Sequence, residues 1–197
     1  MNLILLVDIS GSMKGFKIGA VNDTMENLIE ALRDYSSANA EKVKMSVLLF
    51  SKITHWMNHE ELDIESFEWR EPECTGMTSL GLACRELAKK LKTAEDELYN
   101  IVLLSDGCPT DDYDEGIATL DIHPTFVNSH RYAIAIGDNA DIPSLIRFTA
   151  DSDKVFSVSD LNNLLTILTS VLQVTQPQQP VNIGNIRVEE DPNDEWA

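Results

Sequence analysis

The sequence predicts an α/β fold in which a doubly wound, mostly parallel central sheet is flanked by helices. Short continuous apolar runs, typical of strands buried on both faces, alternate with segments whose apolar residues recur every three or four positions. This alternation is typical of a parallel sheet with helices on both sides. Hydrophobic residues make up 43% of the 197 residues, which suits one folded domain with its own core.

The first half of the chain predicts two buried strands, a long helix between them and an edge region. Residues 3–7 form an apolar run that stops at Asp8, and residues 43–50 form the second run. The helix between them is indicated by helical spacing of Ile18, Val21, Met25, Leu28, Ile29 and Leu32. Residues 56–57 and 67–69 predict the short strands of an edge hairpin.

The second half predicts three further strands, each followed by a helix. The helix after Thr78 has one apolar side. A buried strand is expected at residues 101–104, a further strand at 132–136 and a short strand at 155–156. Shorter helices are expected near residues 114–120 and 143–149. A last helix is indicated by its apolar face of Leu161, Leu164, Leu165, Leu168 and Leu172.

Composition changes near residue 173 and predicts two regions. Residues 1–173 form the domain, and residues 174–197 form a Gln/Pro-rich linker with an acidic tail that contains Trp196. One hypothesis for this tail is self-association, in which an acidic tail residue completes a metal site on a neighbouring molecule.

Net charge limits the classes of partner. Thirty-three acidic and 15 basic residues give a net charge of −18. Such a surface repels phosphate backbones and anionic membranes, so we expect neither nucleic acid nor membrane as a partner. A cation or a protein fits the charge better.

Cysteine use and hydropathy predict a cytoplasmic protein. The three cysteines, Cys74, Cys84 and Cys108, are odd in number and show no CxxC spacing, which is typical of a reducing compartment. The apolar run at residues 3–7 is too short for a signal peptide, and no run approaches the ~20 residues that cross a bilayer.

Oxygen side chains follow the first strand and predict a site for a hard cation. Asp8, Ser10 and Ser12 lie where the strand turns into the helix, with Gly11 allowing a tight turn. Asp106 ends its own strand, and Thr78 opens a helix. Carboxylate and hydroxyl oxygens suit Mg²⁺, and a cation would relieve the repulsion between two converging aspartates. The alternative, that Asp8 and the serines only cap the helix, is less favoured because Thr78 and Asp106 stand where the site needs them.

These residues also carry a family resemblance. Asp8-x-Ser10-x-Ser12, followed by Thr78 and by Asp106-Gly107, resembles the metal-ion-dependent adhesion site (MIDAS) of von Willebrand factor A (VWA) domains. Residues 6–15 (LVDISGSMKG), 78–81 (TSLG) and 105–111 (SDGCPTD) are most similar to the bacterial TerY-like branch, which is associated with tellurium resistance. The resemblance covers roughly residues 1–172.

The resemblance implies a function in binding rather than catalysis. It implies that Ser10, Ser12 and Thr78 approach the metal directly, and that Asp8 and Asp106 act directly or through water. It also implies an open position for a carboxylate from a protein partner, such as a kinase or a phosphatase of a bacterial stress-response or defence system. Mg²⁺ is expected, with Mn²⁺ or Ca²⁺ as alternatives.

The sequence suggests roles for several other residues near the site. Met13 and Phe16 are candidates for an apolar rim around the metal, although Phe16 could equally pack against the helix. Cys108 is expected to be a partly buried small residue, and Asp111 and Asp112 to be helix-capping loop residues.

Two other functions are alternatives to metal-dependent binding of a protein partner. A Mg²⁺-dependent phosphohydrolase on a similar sheet would need a second aspartate at position 10, where the chain has Ser10, and a basic residue for the phosphate. No P-loop or Gly-x-Ser-x-Gly motif is present. A scaffold that binds its partner without metal is the other alternative.

Overall fold

The computed structural model describes residues 1–58, 60–93 and 97–158. The strands in these ranges are β1 (Asn2–Asp8), β2 (Lys44–Phe50), β3 (Thr54–Trp56), β4 (Leu62–Asp63), β5 (Asn100–Ser105), β6 (His130–Ile136) and β7 (Val155–Val158). The α-helices are α1 (Phe16–Asn39), α2 (Leu80–Leu91), α3 (Tyr113–Asp121), α4 (Pro124–Asn128) and α5 (Ile142–Thr149).

One sheet joins all these strands in the order β3-β2-β1-β5-β6-β7, with β4 also paired to β2. Strands β1, β2, β5, β6 and β7 run parallel, whereas β3 and β4 are antiparallel to β2. The predicted doubly wound, mostly parallel sheet is therefore confirmed. The chain leaves β1 for β2 on one side and returns to β5 on the other, so the ends of β1 and β5 flank the point where the winding reverses. Ligands bind at this point in open α/β sheets.

The core has two layers because β1 alternates its side chains between two helical faces. Leu3, Leu5 and Val7 pack in a cluster with the apolar side of α1. Ile4 and Leu6 pack in the other cluster, with α2, α3, α4 and α5. All five of these side chains are at most 1% exposed. The burial of each one stabilises the folded state by roughly 1.5–3 kcal/mol.

Helices α2 and α3 cross in unusually close contact at two glycines. A Cβ atom on Gly116 would lie 2.4 Å from the Cα of Gly81, and a Cβ on Gly81 would lie 2.3 Å from the backbone oxygen of Asp112. Only residues without a side chain permit this approach. The crossing holds the start of α2 against the loop that follows β5.

The edge region differs from the sequence prediction. Residues 67–69 form no strand, since Phe67 is buried in irregular structure and Trp69 donates its indole N–H to Oδ1 of Asn22 at 3.2 Å. The edge hairpin is instead made by β2 and β3. Phe67 and Trp69 pack against the α1 side of the core. Burial of this kind gives the same alternating pattern in the sequence as a paired strand, so the pattern could not distinguish the two.

Helix α4 was not predicted, because its five residues are too few to show helical periodicity. The predicted last helix at residues 161–172, the boundary at 173 and the tail at 174–197 lie outside the described residues. Within the described ranges, no helix has both the length and the apolar character needed to cross a bilayer.

Candidate metal centre

Asp8 is the buried centre of the predicted site. It ends β1 and is fully buried. Its Oδ1 accepts the backbone N–H of Ser10 at 2.8 Å, and its Oδ2 accepts the hydroxyl of Ser105 at 2.6 Å. Burial raises the pKa of the Asp8 carboxyl, the hydrogen bonds from Ser105 and Ser10 oppose that rise, and the charge of Asp106 adds to it.

A line of hydroxyls connects the two aspartates. Residues 11–13 form a 3₁₀ turn after Ser10, and this turn brings the two serine side chains together. The Oγ atoms of Ser10 and Ser12 lie 3.0 Å apart, and Ser12 donates its hydroxyl to Oδ1 of Asp106 at 2.8 Å. Asp8, Ser10, Ser12 and Asp106 thus form one continuous polar array across β1 and β5.

Thr78 closes the array from the loop before α2. Backbone hydrogen bonds hold this loop to the β1 turn, from Gly11 N to Gly76 O at 3.0 Å and from Thr75 N to Ile9 O at 2.8 Å. A Cβ atom on Gly107 would lie 3.2 Å from Oγ1 of Thr78 and 3.7 Å from Oγ of Ser12. The missing side chain of Gly107 therefore leaves the space beside the two hydroxyls open.

The structure brings all five predicted residues together, and their chemistry fits a hard cation. The donor set comprises the two carboxylates of Asp8 and Asp106 and the hydroxyls of Ser10, Ser12 and Thr78. Hydrogen bonds connect the first four of these residues, and the Thr78 hydroxyl, like that of Ser12, borders the space beside Gly107. Oxygen ligands of this kind suit Mg²⁺. No cluster of three or more His, Cys, Asp or Glu side chains that could hold a metal occurs in the described part of the chain, so the hydroxyls are essential to this donor set.

Two thiols near the site have raised pKa values. Burial raises the pKa of Cys74, and the charges of Asp8 and Asp106 raise it further. Cys108, which was expected to be partly buried, is exposed in the loop after Asp106. The Asp141 carboxylate raises the pKa of Cys108, which disfavours the reactive thiolate.

Sequence reasoning missed two residues that contact the aspartates. Ser105 donates to Asp8, and the ammonium group of Lys17 pairs with Oδ2 of Asp106. Lys17 lies in the first turn of α1, where the helix dipole disfavours a cation. This unfavourable position is the sequence signal that could have singled out Lys17.

The surface around the site is partly apolar. Phe16 is 80% exposed, Ile53 69% and Met77 53%. Phe16 is the first residue of α1, Ile53 lies in the turn between β2 and β3, and Met77 directly precedes Thr78. Met13, the other candidate for an apolar rim, is fully buried because the 3₁₀ turn directs it into the α1 side of the core. We call Phe16, Ile53 and Met77 the apolar rim.

Asp111 and Asp112 have the capping roles expected of them. Asp111 accepts the backbone N–H groups of Gly81 and Leu82 at 2.9 and 2.8 Å, at the start of α2. Asp112 accepts the N–H of Glu115 at 3.0 Å, at the start of α3. The neighbouring Thr110 donates its backbone N–H to the backbone oxygen of Thr78 at 2.8 Å, so the same loop contacts both the start of α2 and Thr78.

Solved structures share this fold. The ArnB paralog VWA2 from Sulfolobus acidocaldarius matches with a TM-score of 0.65 and 23% identity, over 88% of this chain and 44% of that chain. A von Willebrand factor type A protein from Catenulispora acidiphila matches with a TM-score of 0.66 and 16% identity, over 86% and 41%. Proximal thread matrix protein 1 from the mussel byssus, in a structure with a zinc-occupied MIDAS motif, matches with a TM-score of 0.65 and 14% identity, over 88% and 45%.

The present chain spans less than half the length of each of these three proteins. At these identities the structural likeness establishes the fold alone. A comparison with curated proteins finds no match. A family model described as the von Willebrand factor type A domain, however, matches residues 2–170. The chain therefore belongs to the von Willebrand factor type A domain family.

Proposed function

We propose that this VWA domain is a metal-dependent protein interaction module that binds a partner carboxylate through a cation held by Asp8, Ser10, Ser12, Thr78 and Asp106. The observation that carries this proposal is the continuous polar array from Asp8 through the serines to Asp106, with the Thr78 hydroxyl across the space beside Gly107. When bound, Mg²⁺ would neutralise the two carboxylates and offer a coordination position to an anionic oxygen. Mn²⁺ and Ca²⁺ are the alternatives.

The apolar rim supports a protein as the partner. VWA domains generally mediate protein–protein interactions. Exposed side chains as large as Phe16, Ile53 and Met77 contribute to binding when a partner covers them. A carboxylate flanked by apolar side chains would contact the metal and the rim together.

We propose that the chain is not an enzyme. A phosphohydrolase of the type considered above requires an acid or base two residues after Asp8, and Ser10 offers only a hydroxyl that contacts Ser12. The basic group nearest to Asp106, Lys17, is paired with that carboxylate rather than free to hold a phosphate.

The cellular setting is a further part of the proposal. The motifs at residues 6–15, 78–81 and 105–111 are similar to the TerY-like branch, which favours a bacterial stress-response or defence system associated with tellurium resistance. A kinase or phosphatase of that system is the partner we propose. The three free cysteines favour the cytoplasm.

Calorimetric titration of Mg²⁺ into the metal-free protein tests the proposal. We expect binding by the wild type, loss of binding in Asp8→Ala, and unchanged binding in Asp138→Ala, which removes an exposed carboxylate outside the site. Circular dichroism confirms that each variant is folded. Absence of binding in the folded wild type would mean that the array is only structural.

Affinity capture from a native extract then tests the partner. A partner retained in Mg²⁺ and lost in EDTA or with Asp8→Ala supports the metal-bridged module. Retention in EDTA would instead support a metal-independent scaffold. Hydrolysis of a generic phosphate ester that depends on Asp8 would support the phosphohydrolase.

A further inference from the structure

Lys17 contacts the candidate metal centre from the first turn of α1. Its ammonium group pairs with Oδ2 of Asp106, the oxygen that Ser12 leaves free. The Asp106 side chain is only 1% exposed, whereas the Lys17 side chain is 31% exposed. The lysine therefore brings a positive charge to a buried carboxylate while keeping access to solvent.

The loop after β6 leaves room for this lysine. Gly137 has a φ of +87°, and a Cβ atom there would lie 3.1 Å from Cε and 3.4 Å from Nζ of Lys17. Both the backbone conformation and the space favour glycine. The end of the lysine side chain thus lies between Asp106 on one side and Gly137 on the other.

The position of Lys17 in α1 is unfavourable without Asp106. The N-terminus of a helix carries a partial positive charge, so a cation in the first turn is destabilising unless an anion compensates it. No other carboxylate pairs with Lys17 among the described residues. The contact with Asp106 accounts for both the position and the direction of this side chain.

We propose that Lys17 is an internal counterion that competes with the metal for Asp106 and thereby lowers the metal affinity of the site. This inference rests on the proposed metal binding. Without metal, the ammonium group neutralises Asp106, so one of the two converging carboxylates is already compensated. A divalent cation at the site repels the ammonium group, and Lys17 must turn toward solvent as the metal enters.

The competition has two opposite consequences. Lys17 stabilises the fold when metal is absent, because it pairs a buried carboxylate. It also raises the concentration of metal at which the site fills, because metal binding breaks that pair. A single substitution should therefore weaken the metal-free protein and strengthen metal binding.

Lys17→Met tests this, since methionine keeps an unbranched side chain and removes the charge. In calorimetry at about 0.15 M salt, which screens distant charges, we expect Kd for Mg²⁺ to fall on the order of tenfold, or about 1.4 kcal/mol. In EDTA, we expect a lower Tm than the wild type, and a larger rise in Tm when Mg²⁺ is added.

Two variants control for charge and side-chain length. Lys14→Met removes an exposed lysine that lies just before α1 and forms no ion pair among the described residues, and its Mg²⁺ affinity should equal that of the wild type. Lys17→Arg keeps the charge and should bind Mg²⁺ as weakly as the wild type.

The outcomes separate this inference from the proposed function. Mg²⁺ binding by the wild type with no tighter binding by Lys17→Met would overturn the counterion role alone. Equal tightening in Lys14→Met would also overturn it, because the cause would be net charge. Absence of Mg²⁺ binding in every variant would overturn both proposals.

Discussion

The hydroxyl of Ser105 donates a hydrogen bond to Oδ2 of Asp8 at 2.6 Å, across 97 positions of the sequence. Both residues are almost fully buried, and they lie on the neighbouring strands β5 and β1. The other Asp8 oxygen accepts the backbone N–H of Ser10. These two donors hold a buried carboxylate in one orientation within the site.

Ser105→Ala should destabilise the metal-free protein by about 1–3 kcal/mol, because a buried carboxylate oxygen loses its donor. Chemical denaturation at neutral pH measures the change in the free energy of unfolding. Ser46→Ala is the matched control, since Ser46 is a fully buried serine of β2 whose hydroxyl has no partner among the described residues. Equal destabilisation by both substitutions would contradict a specific role for the Ser105 hydroxyl.

Stability of the metal-free protein should fall as pH rises through the pKa of Asp8. Burial raises this pKa above its ordinary value of 3.8, so the folded state binds the proton more tightly than the unfolded state. The resulting stabilisation is fully present below the unfolded-state pKa and is lost as pH rises through the folded-state pKa.

Denaturation in EDTA from about pH 4 to about pH 8 measures this effect. The wild type should lose stability relative to Asp8→Asn, which cannot ionise at that position. Saturating Mg²⁺ should reduce the loss at the upper end, because the metal binds the ionised carboxylate. A difference between wild type and Asp8→Asn that does not change with pH would contradict the raised pKa.

Asp111→Ala should weaken Mg²⁺ binding although Asp111 lies outside the proposed ligand set. Its carboxylate caps α2 through the N–H groups of Gly81 and Leu82, and its loop holds the backbone of Thr78. Loss of the cap should cost about 0.5–2 kcal/mol of stability and loosen the position of the Thr78 hydroxyl.

Asp112→Ala is the control for that experiment, since Asp112 caps α3 through Glu115. It should lower stability by a similar amount and leave the calorimetric Kd for Mg²⁺ unchanged. A Kd that shifts equally in both variants would assign the effect to stability rather than to the position of Thr78.

Gly116→Ala should destabilise the protein by about 1–3 kcal/mol or more, because its Cβ would lie 2.4 Å from the Cα of Gly81 and force α2 and α3 apart. Gly19→Ala, in α1, meets nothing within 4 Å and should stabilise the protein by roughly 0.5–1 kcal/mol through helix propensity. Thermal unfolding of both variants checks the difference. Stabilisation by both would show that the helix crossing can relax.

Much of the fold could be predicted because its signals are local. The apolar runs before Asp8 and Asp106 indicate strands buried on both faces, and the spacing of Val21, Met25 and Leu28 indicates a helix. These patterns repeat in the order that a doubly wound sheet requires. They fail at residues 67–69, where the side chains are buried without strand pairing, and burial alone produces the same sequence pattern.

The five proposed ligands could also be predicted from sequence, since each is a short oxygen side chain at the end of a strand or the start of a helix. Lys17 and Ser105 could not be assigned in this way. Their partners, Asp106 and Asp8, lie on other elements, and only the sheet order and the approach of α1 bring these pairs together.

The sequence by itself thus determined the type of fold, the alternation of its elements and the oxygen donors available for a cation. Only the tertiary structure decided which charges share the site, how each carboxylate is oriented and where two helices touch through Gly81 and Gly116. The physical reason is the separation along the chain over which each kind of interaction acts. Propensity and periodicity act between residues a few positions apart, whereas Coulomb interactions and close packing act between atoms that the completed sheet brings together.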